Sequence, residues 1–325
     1  MAHIEYRNLG ASGLRVSTIG LGCNNFGRDG TPTQTQEGTD AVIHAAIEAG
    51  VTLFDTADIY GAERGLSETL MGNSLGTKRR DIVLATKFGM DMGGANGPDW
   101  GARGSRRYIR LAVEASLRRL QTDWIDLYQL HTPDPLTPVE ETLATLDDLI
   151  TEGKVRYIGH SNLAGWQLAD AEYVATLAGH PKFVSAQNEY SLLVRDAEAE
   201  VLPAVNAYGL GFLPFFPLYN GLLTGKFSRD GGPADSRIMR IRSHLLAEAP
   251  WDTIERYEAF CAERGVDMLS ATFAWLLAQP GLTSVIAGAT RPEQIVKNAD
   301  AAVAWHPDAG EIAEISEMFD PANLV

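Results

Sequence analysis

Cysteine is nearly absent from this chain: its 325 residues hold two, Cys23 and Cys261, with no Cys-x-x-Cys spacing. That excludes a disulfide scaffold and the usual zinc and dithiol signatures, and both thiols are expected to be free and buried. Positive charge is also scarce, since 27 Lys and Arg against 42 Asp and Glu leave a formal charge of −15. A main partner made of nucleic acid or anionic membrane demands the opposite excess, because phosphate binding rests on Lys and Arg. Apolar runs are short. None approaches the roughly 18 residues of a membrane span, and the start, MAHIEYRNLG, lacks the apolar stretch of a signal segment, so the expected address is the cytoplasm. No His-Glu-x-x-His pair offers a zinc site. No Pro-rich or Ser-rich linker interrupts the chain, and one domain over residues 1–325 is expected.

What is present is an alternation. IEYRNL and LRVSTIG flank the turn-forming ASG and predict an N-terminal β-hairpin, placed to plug one end of a barrel. Strand-like runs then alternate with amphipathic helical stretches: VSTIGLG, VTLFD, DIVLATK, WIDLYQLH, KVRYIGHSN, KFVSAQNEY, LGFLPFF and LTSVIAG, each followed by a helix. The predicted helices lie near 35–49, 65–75, 105–120, 138–151, 163–177, 197–208, 251–264, 268–278 and 292–302, the last taken as the final one. About eight strand and helix units, with connections long enough for right-handed crossovers, predict a (β/α)8 TIM barrel. Long insertions after Lys87 and over roughly 220–244 are expected at its catalytic rim.

Four of these runs deliver reactive groups at their ends: Asp55 with Tyr60 just beyond, Lys87, His131, and Ser161 with Asn162. Ends of parallel strands are where such a fold builds its active site. A tyrosine is a feeble acid near neutrality unless something stabilises its phenolate. Lys87 at about 4 Å would contribute on the order of 4 kcal/mol at an effective dielectric near 20, or about three pKa units. Asp55 would fix that ammonium and His131 would orient a carbonyl against Tyr60. Singly, each has a plainer reading: Asp55 as a helix cap, Tyr60 as a packed ring, Lys87 as a surface charge, His131 as a metal ligand.

Taken together, GLGCNNFG, FDTADIYG, ATKFG, LYQLH, KVRYIGHSN, QNEYSLL, FFPLYNGLLTGKF and IAGATRPEQIVKNADA make the chain resemble the aldo-keto reductase superfamily over nearly its whole length. The resemblance implies a catalytic tetrad of Asp55, Tyr60, Lys87 and His131 with Tyr60 as general acid, and a nicotinamide dinucleotide, NADP, bound without the Gly-x-Gly-x-x-Gly turn that the chain lacks. It implies reduction of aldehydes or ketones, hydride coming from the nicotinamide. An NAD(P)-linked sugar or alcohol dehydrogenase and a nucleotide-binding regulatory subunit like the potassium-channel β-subunits are the alternatives.

By the same resemblance Ser161, Asn162 and Gln187 hold the carboxamide, with helix capping as the rival role for the first two, and Phe215 stacks on the nicotinamide. Phe216 stands where a serine commonly precedes the Pro-Leu pair, so Pro217, Leu218 and Gly221 with Lys226 are assigned the pyrophosphate. Gly22, Cys23 and Asn24 join the cofactor set, as do Gly288, Thr290, Arg291, Gln294 and Asn298, where Arg291 is read as a 2′-phosphate clamp that favours NADP over NAD. His160 is read as a satisfied core histidine. Phe26, Met90, Met92, Trp100 and Tyr219 suggest an apolar pocket for a small carbonyl or alcohol substrate rather than for a phosphorylated sugar.

Overall fold

The computed structural model describes residues 4–323; the first three residues of MAHIEYRNLG and the last two of the 1–325 span lie outside it. A hairpin of β1 (Tyr6–Asn8) and β2 (Arg15–Ser17) precedes eight parallel strands: β3 (Ile19–Gly22), β4 (Leu53–Asp55), β5 (Val83–Phe88), β6 (Ile125–Leu130), β7 (Val155–Ser161), β8 (Ser185–Gln187), β9 (Gly211–Phe212) and β10 (Val285–Gly288). They neighbour one another in chain order, with β10 returning to pair with β3. The ring closes where Phe212 bridges Leu282, its N–H donating to Gly281 O at 2.8 Å and its carbonyl accepting from Thr283 N at 3.0 Å. The fold is a (β/α)8 barrel. Strand β9 is the shortest stave, two residues long, and Pro214 has no N–H to extend the ladder.

The connecting helices are α1 (Gln36–Glu48), α2 (Leu66–Leu75), α3 (Arg106–Leu120), α4 (Val139–Thr151), α5 (Gly165–Ala178), α6 (Val201–Tyr208), α7 (Arg237–Ile241), α8 (His244–Ala247), α9 (Trp251–Glu263), α10 (Met268–Leu277), α11 (Pro292–Ala301) and α12 (Ala309–Met318). Several starts carry their cap in the sequence: Thr35 accepts from Gly38 N, Ser105 from Tyr108 N, Asp267 from Ser270 N. Three expectations need correction. Helix 292–302 is not the last, since Asp308 and Glu311 form a capping box that opens α12. The stretch 197–208 is broken, a 3₁₀ turn over Asp196–Glu198 preceding α6. The long insertion over 220–244 contains α7 and the start of α8.

Because side chains alternate along each strand, the barrel has two separate apolar regions. Outward residues such as Phe54, Leu84, Tyr128 and Ile158 pack with the helices in the larger one. The smaller fills the lower half of the interior with Leu53, Ala85, Leu127, Leu213 and Ile286, and the hairpin side supplies Leu9 and Val16 to it. Thus the hairpin does plug the N-terminal end. Gly10 lets it dock there: its φ is +58°, and a Cβ would stand 2.4 Å from Gly209 O. Above this layer the inward positions turn polar, with Asp55, Lys87, Gln129, Ser161 and Gln187.

His160 points outward from β7 and is fully buried, its ring edge-to-face with Phe183 at 5.2 Å. It is not the satisfied histidine expected from sequence, because neither ring nitrogen has a partner. Burial in this apolar layer pushes its pKa from 6.5 down to about 3. The folded state holds it neutral while the unfolded chain binds a proton below about pH 6.5. Stability from this group is therefore complete above that pH and falls as the pH drops towards 3. His160→Leu should flatten the decline by up to about 1.4 kcal/mol per pH unit. Urea denaturation of wild type and variant between pH 7 and 4 checks this, and parallel slopes would count against it.

Candidate active site

Four strand ends converge on one buried charge pair. Lys87, wholly buried at the upper end of β5, donates to Asp55 Oδ2 at 2.6 Å and to Thr56 O at 2.8 Å. The other carboxylate oxygen of Asp55 accepts from Gln129 Nε2 at 3.2 Å and Gln187 Nε2 at 3.0 Å, and the two amides touch at 3.4 Å. A desolvated ion pair is tolerable only when its remaining hydrogen-bonding capacity is met, and these amides meet it. Gln129 was missed in the sequence. Its signal is periodicity, since it stands two residues after Leu127 and two before His131 on the inward face of the strand.

Tyr60 lies in the loop after β4, half-buried, with the Lys87 ammonium 5.2 Å from its ring centroid. His131 follows β6, and its ring meets that of Tyr60 edge to face at 5.8 Å. The four residues thus form one constellation at the C-terminal rim. Burial works against the Lys87 ammonium, but Asp55 and Tyr60 outweigh it and hold its pKa above the ordinary lysine value. Burial, then the charge of Lys87, depress His131 to about 3, so its imidazole is neutral and Nδ1 is buried without a partner. The expectation that Lys87 lowers the Tyr60 pKa is corrected in its net direction. Burial raises it and the ammonium offsets only part, because Asp55 sits on that same ammonium.

Behind this loop lies a buried polar network. Asp58 accepts from Asn96 at 2.9 Å, Arg119 donates to Asn96 at 3.0 Å and to Glu68 at 2.7 Å, and Glu68 accepts from Thr86 at 2.6 Å. Burial, with Glu68 nearby, pushes the Asp58 carboxyl well above its usual range. The network braces both sides of the Asp55 to Tyr60 turn.

The residues assigned to a dinucleotide line the rim from β7 round to β3. Ser161 is buried, while Asn162 takes φ +61° and donates to His131 O at 3.0 Å. Neither caps a helix: α5 begins later, at Gly165, where Gln167 accepts from Ala164 N. Phe215 is half-buried and edge-to-face with Phe216 at 5.3 Å. Pro217 and Gly221 are buried, Leu218 is half-buried and Lys226 is exposed, with Nζ 5.3 Å from the Phe227 ring centroid. Gly22 and Gly288 pair at adjacent strand ends, with Asn24 and Asn25 beside Gly288. Arg291 is exposed and pairs with Asp235 at 3.3 Å, and Gln294 accepts from Thr290 N and Arg291 N, which ties it to the start of α11. Asn298 is buried in the next turn.

Two assignments shift. The Cys23 side chain is fully buried and aimed at Leu21 O at 3.4 Å, while its N–H donates to Asp55 O at 2.8 Å and its carbonyl accepts from Phe26 N and Ser67 Oγ. The pocket wall is also not the one expected: Phe26 is sealed in the outer core with Met92 buried, and Trp100 is 76% exposed under Arg107 at 4.3 Å. Met90 is at the edge of exposure, and Tyr219 remains half-buried at the rim. Among the described residues no group of His, Cys, Asp and Glu is arranged for a metal ion, and no helix is long and apolar enough to cross a membrane.

Comparison with known proteins agrees with this geometry. The family model described as the Aldo/keto reductase family matches residues 18–320. An uncharacterized oxidoreductase, YrpG of Bacillus subtilis, is 40% identical, covering 90% of this chain and 89% of its own. A probable voltage-gated potassium channel subunit beta of Oryza sativa is 35% identical, with 92% of this chain and 91% of its own covered. The L-glyceraldehyde 3-phosphate reductase of Escherichia coli is 31% identical, covering 99% of this chain and 94% of its own. This chain is therefore an oxidoreductase of the Aldo/keto reductase family.

Proposed function

We propose that the protein reduces aldehyde or ketone carbonyls to alcohols with NADPH, in the cytoplasm. The observation that carries this reading is the convergence of Asp55, Lys87, Tyr60 and His131 on one point of the barrel rim. The rim also carries groups suited to a dinucleotide: the paired strand-end glycines Gly22 and Gly288, polar groups at Ser161, Asn162 and Gln187, and a half-buried aromatic at Phe215. When bound there, the nicotinamide would supply the hydride. The chain supplies the proton and the positioning.

His131, held neutral by its burial, offers a donor to the carbonyl oxygen without adding a charge that would compete with Lys87. Tyr60 keeps its proton in the resting site because burial raises its pKa, which is the state a proton donor requires. As the proton leaves, the Lys87 ammonium faces the forming phenolate, and Asp55, Gln129 and Gln187 keep that ammonium charged and fixed. The pair thus acts on the charge that develops during transfer rather than on the resting phenol.

A regulatory subunit that binds the nucleotide is the second reading, favoured by the relatives named as channel β-subunits. The complete tetrad favours turnover. The reverse reaction, as an NAD(P)-linked sugar or alcohol dehydrogenase, would use the same groups.

Tyr60→Phe keeps the ring and removes the proton; turnover of an aldehyde panel should fall by at least about 100-fold, the scale of general acid catalysis, with nucleotide affinity nearly unchanged. Retention of more than about a tenth of the rate would contradict the assignment. Arg291→Ala should weaken NADPH by about 1.5 kcal/mol and leave NADH almost unaffected. The lower end of the charged hydrogen-bond range is expected because Asp235 already shares the guanidinium. Fluorescence titration of both nucleotides decides this: equal losses would assign Arg291 a structural role, and a wild type preferring NADH would reject NADP.

A further inference from the structure

Helix α5 is apolar on both sides. Its inward side is ordinary, with Leu168, Ala171 and Ala175 buried against the barrel. The outward side of a surface helix is expected to be polar, since it meets water rather than core. Here Trp166, Tyr173 and Leu177 stand on it, 65%, 65% and 70% exposed. Spacings of seven and four residues stack the three within about 40° of one another on a helix of 3.6 residues per turn, so they form one stripe.

The neighbouring helix adds no charge. Helix α6 packs beside α5, their starts so close that a Cβ on Gly165 would stand 2.6 Å from Glu200 O, and it exposes Pro203, Asn206, Ala207 and Tyr208. Asp170 is the one exposed charged side chain that the two helices carry, because Glu172 is buried and paired with Lys182 at 3.1 Å. Other helices of the barrel do the opposite. Ion pairs lace the outward faces of α3 and α4, Arg110 with Glu152 at 2.8 Å among them, and α9 exposes Asp252, Glu255, Arg256 and Glu258. In a chain of net charge −15, an aromatic face almost free of charge marks an interaction surface.

Charge, area and spacing select its occupant. A basic partner would be drawn to the acidic residues elsewhere and has no need of this face. Another copy of the chain carries the same −15, and it can approach only where acid is sparse. Trp166, Tyr173 and Leu177 alone expose roughly 350 Å², nearly half of the about 800 Å² per partner that a stable interface buries, and α6 supplies uncharged area beside them. The stripe is also self-complementary. Trp166, Asp170, Tyr173 and Leu177 follow one another at intervals of four, three and four residues, the same read from either end.

We propose that the protein forms a two-fold dimer through the outward face of α5, the axis passing between positions 171 and 172. The two helices then run antiparallel. Trp166 packs on Leu177 of the second copy, and the Tyr173 hydroxyl donates to Asp170 of the second copy, so the single carboxylate on the face gains a partner. This goes beyond the reductase reading and does not depend on it.

Sedimentation velocity on the full chain, from about 1 to 100 µM, tests the proposal. Wild type should reach a plateau at twice the chain mass, because an isologous face closes at two copies. Leu177→Asp and Trp166→Asp should each raise the dissociation constant at least about thirtyfold, the scale of a central interface residue, with Tm nearly unchanged because both side chains lie outside the core. Added NaCl should tighten the dimer by screening the repulsion between two acidic chains. Cross-linking reads the register: in a mixture of Asp170→Cys and Tyr173→Cys chains that sediments as dimer, oxidation should join one variant to the other, without background from Cys23 and Cys261, which are buried. A wild type that stays monomeric overturns the proposal and leaves the face to a different protein. A dimer untouched by both aspartate variants, mass that grows without a plateau, dissociation by salt, or a dimeric mixture that fails to cross-link would each overturn it as well.

Discussion

Everything at the rim depends on one buried ion pair. An ammonium inside a barrel is sustainable only if an opposite charge sits against it and every spare hydrogen-bonding position is filled. Asp55 does the first at 2.6 Å, while Thr56 O, Gln129 and Gln187 do the second. Removing Asp55 would leave the ammonium without its counter-charge, and removing both glutamines would leave a carboxylate oxygen unsatisfied in a closed interior. The same fixation gives Lys87 its chemical use, because a charge that cannot move needs no reorganisation when a neighbouring phenol gives up its proton.

The pair is possible because the barrel interior is divided. Its lower half is apolar and packed against Leu9 and Val16 of the hairpin side, all buried. Its upper half is polar on alternate inward positions of consecutive strands, and the parallel register brings Lys87 level with Gln129 and Ser161 level with Gln187. Outside the wall, the Asp58, Asn96, Arg119 and Glu68 network braces the turn that carries Tyr60. The site is held from inside and behind, while its open side is left to the loops.

Those loops carry a charge pattern opposite to that of the whole molecule. The chain is strongly acidic, yet the rim gathers Arg28, Arg237 and Arg242 at one place and Lys226, Lys297 and Arg291 at another. A negative overall field would slow an anionic ligand's approach, so local positive charge must do the attracting.

Strand and helix alternation, the hairpin at the ASG turn, and the strand-end placement of Asp55, Lys87 and His131 were legible from sequence because each rests on local pattern: period-two strands, capped helices, and groups one residue from a strand's end. Helix α12 has a local signal too, its capping box of Asp308 and Glu311. What sequence could not supply depends on which distant groups share a space. Gln129 matters only because its neighbour strands bring Asp55 and Gln187 against it, and His160 lacks partners only because the packed layer around β7 offers none. Phe26 reads as a rim aromatic in one dimension and lies sealed in the core in three. The Tyr60 pKa turns on a contest between burial and a charge already shared with Asp55, and the arginine cluster joins residues from two loops more than 200 positions apart in the chain. Composition and periodicity determined the barrel and the reactive groups at its rim; only the tertiary structure decided their charge states and neighbours, because electrostatic energies depend on distance and burial rather than on order along the chain.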